Sequence, residues 1–300
     1  MAVAAEPKPL DHPLPGGRDG ATVRVRPLLA GEIFGPPEFF AGPRRRFAWP
    51  RAFIGGRSDW LWAPIPAFLV EHPTAGPILV DTGMHPSVDV EPKANLGTLG
   101  AAAYTLRNID GGVPARLRDL GLDAVDVRTV VMTHMHWDHT SGVVEFPNAT
   151  FVVDTREWES ATASRPTFRG YMPGHFDHAF DWRTVDYDDE WVNSLSPFGK
   201  TVDLLGDGSV RLVSTPGHSL GHQSVVLRLR GRDALLTGDA AYMQRTIDED
   251  EDVDPLVIAD DHLYRRSLTE IKRFVQREPE ALVICGHDAE TWPTLDSVYE

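Results

Sequence analysis

The segment Thr133-His134-Met135-His136-Trp137-Asp138-His139 constrains this chain more than any other. It follows the apolar, β-branched run Val127 to Met132, which reads as a buried strand. Three imidazoles and a carboxylate therefore leave one strand tip together, and both groups ligate zinc at about 2.0–2.2 Å. A turn after the strand can send His134 and His136 one way and Asp138 and His139 another, giving one ion per pair. A chance polar loop would rarely gather these groups directly behind an apolar run.

Three later positions repeat an order of strand, glycine and ligand-type residue. Thr215-Pro216-Gly217-His218 follows Val210–Val213, Thr237-Gly238-Asp239 follows Ala234–Leu236, and Cys285-Gly286-His287 ends the run from Ala281. Each alone is an ordinary turn. Together they bring His218, Asp239 and His287 to a common edge, and glycine lets the backbone turn sharply there. Asp81, at the end of Pro77–Val80, is placed to orient a ligand histidine. His222 and Asp288 read as structural supports, and Cys285 as a small buried apolar residue.

The remaining pattern places these motifs on a fold. Ala67–Val70 and Pro77–Val80 read as a hairpin. Pro114–Leu120 reads as a short helix closed by Gly121 and Leu122. Further strands are expected at Thr150–Val153, Val210–Val213, Gln223–Leu229, Ala234–Leu236 and Ala281–Cys285. A helix is expected over Asp261–Arg277, with Leu263, Leu268, Ile271, Phe274 and Val275 on one side. The expected class is α/β, two sheets with helices outside, an αββα four-layer sandwich forming a single domain over 51–300. Residues 1–50 read as a loose tail and an irregular arm carrying Pro36, Pro37, Pro43, Pro50 and the solvated run Arg44 to Arg46. Residues 157–199, rich in aromatics, read as an insertion or lid.

Composition narrows the partners. A net charge of -15 argues against a nucleic-acid backbone as main partner and favours a neutral or small substrate. The single Cys excludes an internal disulfide and suggests a reducing compartment. No apolar stretch approaches the roughly 18 residues of a membrane span, and the N-terminus has no signal-peptide core. A cytoplasmic protein without a membrane partner is expected, with a homodimer left open.

The full set of motifs resembles the metallo-β-lactamase superfamily, whose signature is His-x-His-x-Asp-His with a distant His, Asp and His. The match covers roughly residues 65 to 290. It implies the metallo-β-lactamase fold with a site between two sheets holding two zinc ions. His134, His136 and His218 would bind one ion, Asp138, His139 and His287 the other, and Asp239 would bridge them. The group's β-lactamases commonly place a ligand Cys late in the chain; Asp239 here counts against β-lactam hydrolysis. Within the superfamily, Thr215 to Ser224, Gly286-His287-Asp288 and above all Tyr242, three residues after Asp239, look like the N-acyl-homoserine lactone lactonases. That resemblance implies ring opening of an acylated lactone by a metal-bridging hydroxide, with Tyr242 stabilising the oxyanion and Asp138 relaying a proton. Met84, Tyr104, Phe168, Tyr171, Met172 and Phe176 are candidates for an acyl groove. Rival readings are a thiolester hydrolase of the glyoxalase II kind, an organophosphate or aryl-ester hydrolase, an iron persulfide dioxygenase, and a non-catalytic metal-binding module.

Overall fold

Short β-branched runs separated by turns assemble into two sheets in the computed structural model, which describes residues 5–42, 57–163, 169–178, 180–249 and 251–300. The first sheet comprises β1 (Lys8–Pro9), β2 (Arg24–Gly35), β3 (Leu61–His72), β4 (Gly76–Val80), β5 (Thr105–Asn108), β6 (Thr129–Val131), β7 (Thr150–Asp154) and β8 (Asp181–Val185). Its order is β1-β8-β7-β6-β4-β3-β2-β5. The second comprises β9 (Asn193–Leu195), β10 (Phe198–Asp203), β11 (Val210–Ser214), β12 (Gln223–Arg228), β13 (Asp233–Leu236) and β14 (Leu282–Ile284), in the order β14-β13-β12-β11-β10-β9.

Period-two alternation distributes the apolar residues into layers. Ile78, Val80, Val131 and Val152 face Leu212, Val225 and Leu227 between the sheets. Their neighbours Leu79, Val130 and Phe151 point outward to Leu117 of the helix Gly112–Asp119 and Trp158 of the helix Thr155–Thr162. On the far side, Val213, Val226 and Leu235 meet Tyr264, Leu268, Ile271 and Phe274 of the helix Asp261–Arg277. This is the αββα sandwich expected from the sequence. The long helix has the expected bounds because Asp260 caps it, accepting from the Leu263 N–H at 2.9 Å. The Gly112–Asp119 helix closes as expected: Gly121 adopts φ 77° and the Leu122 N–H reaches the Leu117 carbonyl at 2.9 Å.

Three expectations are corrected. The N-terminal segment is no loose tail. β1 pairs with β8, the Leu10 and Leu14 N–H groups donate to Thr184 and Leu204, and Leu10 is buried. An open sheet edge offers carbonyls to any extended segment, and a proline-rich one suits an edge. A long strand also begins at Arg24, well ahead of the expected hairpin at Ala67, since β2 pairs along its length with β3. Pro27 and Gly31 disguise that strand. Pro27 lies where β5 does not pair, and a register shift between Leu29 and Gly31 absorbs the glycine.

Finally, the described residues of 157–199 build regular structure and not a separate lid. They supply most of the Thr155–Thr162 helix, strand β8 of the first sheet and β9 with the start of β10 in the second. Their aromatics Phe176 and Trp182 are core side chains. Pro43, Arg44 to Arg46, Pro50 and Phe168 lie outside the described residues. Among the described residues no helix is long and apolar enough to cross a membrane.

If the N-terminal segment is part of the core, Leu10→Ala should destabilise the protein by about 2 kcal/mol or more, the usual range for a buried leucine. Urea unfolding monitored by circular dichroism measures it; an unchanged midpoint would show that the segment contributes nothing.

Candidate metal centre

Strand direction assembles the site. β11 and β13 both run antiparallel to β12, so they run the same way, and β14 is parallel to β13. Their carboxyl ends, which carry His218, Asp239 and His287, therefore share one edge. β4 and β6 are likewise parallel, and their ends carry Asp81 and the His134 to His139 segment. Gln223 ties the two edges together. Its backbone N–H donates to the Thr133 carbonyl at 2.9 Å and its side-chain amide to the Met132 carbonyl at 2.9 Å.

Two donor groups result, one of His134, His136 and His218, the other of Asp138, His139, Asp239 and His287. In the first, His134 Nε2 lies 3.1 Å from His136 Nδ1, and His218 Nε2 lies 3.2 and 2.8 Å from them. In the second, Asp239 Oδ1 is 3.5 Å from His139 Nε2, Asp239 Oδ2 is 3.3 Å from His287 Nε2, and Asp138 Oδ2 is 3.5 Å from His287 Nε2. Asp239 Oδ2 also lies 3.3 Å from His218 Nε2 and 3.7 Å from His134 Nε2, so one carboxylate serves both groups. Buried lone pairs this close repel unless a cation or proton lies between them. His139 Nε2 and Asp239 Oδ1 are buried without a hydrogen-bond partner among the described residues, which marks a position suited to a metal. A nitrogen and carboxylate donor set fits a divalent cation of the zinc type.

Hydrogen bonds behind the histidines fix which nitrogen faces inward. Asp81, held at φ 59° after β4, accepts from the Thr133 N–H and hydroxyl at 2.7 Å each and from His139 Nδ1 at 2.8 Å. Because the Thr133 hydroxyl donates to Asp81, it accepts from His134 Nδ1 at 3.1 Å. His287 Nδ1 donates to the Pro64 carbonyl at 2.7 Å. That carbonyl belongs to the part of β3 beyond the pairing with β4. All three rings thus carry their proton at Nδ1 and turn Nε2 to the site.

His222 plays a different part: its Nε2 accepts from the Asp239 N–H at 2.9 Å. Its Nδ1 therefore donates to the Thr215 hydroxyl, which continues through Ser224 to the Thr237 carbonyl. It positions Asp239, in keeping with a supporting role. Asp288 accepts from the Gln244, Glu290 and Thr291 N–H groups and supports the local turn. Cys285 is buried in the core, where burial holds its thiol protonated. Gly286 is required at its position, since a Cβ there would lie 2.7 Å from Asp239 Oδ1.

The electrostatics follow from burial and charge. Burial pushes His134 and His218 well below the ordinary imidazole range and His136 to about 4, leaving lone pairs free. Burial opposes charge on His139 as well, but Asp81, Asp138 and Asp239 outweigh it and raise that histidine. Burial, reinforced by the Asp239 and Asp138 carboxylates, raises the Tyr242 phenol well above its ordinary value, so it stays protonated.

His136, Asp138, His218, Asp239 and His287 line the floor of a cavity of about 390 Å³. Tyr242 lines it, with its ring centroid 4.7 Å from that of His287 and 5.7 Å from that of His218. Of the expected groove residues, Tyr104 and Tyr171 line the cavity. Met84 and Phe176 instead lie in the core, and Met172 packs against it. Sequence reasoning missed Phe39, Phe40, Trp137 and Ile258 as walls. Phe39 and Phe40 sit in what reads as an irregular arm, and only their unbroken aromatic pair after Pro36-Pro37 signalled a packed role.

Comparison with known proteins agrees with this geometry. The metallo-beta-lactamase superfamily profile matches residues 60–287. The N-acyl homoserine lactonase AttM of Azorhizobium caulinodans is 35% identical over 238 residues, covering 77% of this chain and 84% of that protein. AttM of Agrobacterium fabrum is 33% identical over 79% of this chain and 86% of its own length. A crystal structure of Bacillus thuringiensis AiiA with N-decanoyl-L-homoserine bound superposes with a TM-score of 0.71 at 23% identity, over 92% of this chain and 97% of that one. With the fold, the motif order and these matches in agreement, the chain belongs to the metallo-beta-lactamase superfamily.

Proposed function

We propose that this protein is a dinuclear-metal hydrolase that opens the lactone ring of N-acyl-homoserine lactones. The observation that carries this reading is Tyr242, a protonated phenol lining an aromatic-walled cavity directly beside two donor groups that share Asp239. The relatives named N-acyl homoserine lactonase support the substrate class. A structural neighbour described as a dizinc lactonase, with a TM-score of 0.63, supports zinc as the metal.

His134, His136 and His218 would hold one ion, Asp138, His139 and His287 the other, with Asp239 between them. When bound, such a pair supplies a hydroxide nucleophile near neutral pH and polarises the scissile carbonyl. Hydrolysis joins a water oxygen to the carbonyl carbon and breaks the ring C–O bond; one water proton ends on the alcohol, the other is released, and a carboxylate is left. Tyr242 donates its phenolic hydrogen to the oxygen on which negative charge develops. Asp138, whose carboxyl burial pushes upward, carries a proton to the departing ring oxygen. Phe39, Phe40, Trp137 and Ile258 exclude water and receive the acyl chain.

Protein purified without chelator should contain about two zinc ions per chain by elemental analysis, the stoichiometry of a paired hydrolytic site. A single iron would overturn the dinuclear reading. Asp239→Asn keeps an oxygen but loses the charge, and should lower lactone turnover by at least about 10-fold together with metal content. Wild-type values for both would refute the bridging role. Tyr242→Phe should slow turnover roughly 10-fold with metal content unchanged, less than the loss of a sole oxyanion donor because the ions share that task. A panel of acyl-homoserine lactones, thiolesters and phosphotriesters on the metal-replete enzyme tests the substrate. Preference for either of the last two classes would replace the lactonase reading.

A further inference from the structure

Behind the three-histidine group lies a carboxylate that none of the steps above uses. Glu157, in the first turn of the Thr155–Thr162 helix, is fully buried. Its Oε1 accepts from the Met135 N–H at 2.9 Å, between His134 and His136. Its Oε2 accepts from the Gly221 N–H at 3.1 Å, on the turn that follows His218. The turn after His218 is pressed onto this helix: a Cβ at Gly221 would lie 2.2 Å from the Glu157 nitrogen. Burial pushes the carboxyl up to about 7, so an acid is a costly choice for a core position.

We infer that Glu157 is a positioning residue, a clamp that holds the His134–His136 loop of one sheet against the His218 loop of the other and so sets the spacing of the first metal group. The stereochemistry requires a carboxylate. Two backbone donors approach two different oxygens, and both oxygens of a carboxylate accept. Glutamine has nearly the same shape but presents an NH₂ to one of the two N–H groups. Aspartate keeps the charge but is one methylene shorter and cannot span both loops from the same helix position. The second metal group is tied back separately, through Asp81 and Pro64, so loss of the clamp should loosen one group and spare the other.

The inference rests on the metal reading above, and chelator-driven release of zinc separates the two. Wild-type protein, loaded with zinc and mixed with a chromogenic chelator, should release two ions in resolvable phases. In Glu157→Gln one phase should accelerate on the order of 10- to 100-fold, the usual cost of removing a hydrogen bond that orients a metal ligand. The other phase should stay within about twofold. Glu157→Asp should behave the same way, and excess zinc should restore lactone turnover in both variants. Melting of the metal-free proteins serves as the control for folding. Wild-type protein that binds no zinc would refute the metal reading itself. Release of both ions from Glu157→Gln at wild-type rates would refute the clamp alone. Failure of both variants to fold without metal would assign Glu157 to the core and overturn the inference as well.

Discussion

The structure depends on keeping seven side chains of metal-ligand type in contact, all buried except the half-buried His136. Imidazole nitrogens 2.8–3.2 Å apart, with carboxylates alongside, form an arrangement that would fly apart or protonate if its members were free to rotate. The fold resists this by holding each ring from behind. Asp81, Thr133, the Pro64 carbonyl and His222 each fix one tautomer or one backbone group. The polar network is buried because it sits where two sheets meet, at the floor of the cavity.

That junction also explains why the strands are ordered as they are. Parallel β13 and β14, with β11 running the same way, put three ligand-bearing turns on one edge of the second sheet. Parallel β4 and β6 do the same for the first. The apolar layer between the sheets sets their separation, while Gln223 and Glu157 make the polar ties across the top. Packing brings the edges together, and hydrogen bonding decides how they register. The prolines of β3 fit the same logic: Pro64 lies beyond the pairing with β4, which frees its carbonyl for His287.

The cavity joins this polar floor to aromatic walls. Tyr242 belongs to both, its ring packed near Phe39 and Phe40 and its phenol held protonated by burial and by the carboxylates below. A ligand with a polar head and an apolar tail matches such a division.

Local chemistry was written in the sequence. The His134 to His139 segment, the three Gly-containing turns and the long helix Asp261–Arg277 were legible because periodicity, capping and metal-ligand types act over a few residues. Asp81 was legible as a support because it ends the apolar run Pro77–Val80 at a strand tip. What the sequence alone did not reveal depends on pairings between distant segments. β2 hides behind Pro27 and Gly31 until β3 pairs with it, and β1 exists only because the edge of β8 is open. β8 to β10 look like an insertion because their aromatics carry no period, yet Trp182 is core. Phe39 and Phe40 become cavity walls, and Glu157 a clamp between loops, only when the two sheets close on each other. Ligand identity is set by residue type, which is local, whereas ligand spacing is set by long-range packing, which only the tertiary structure decides.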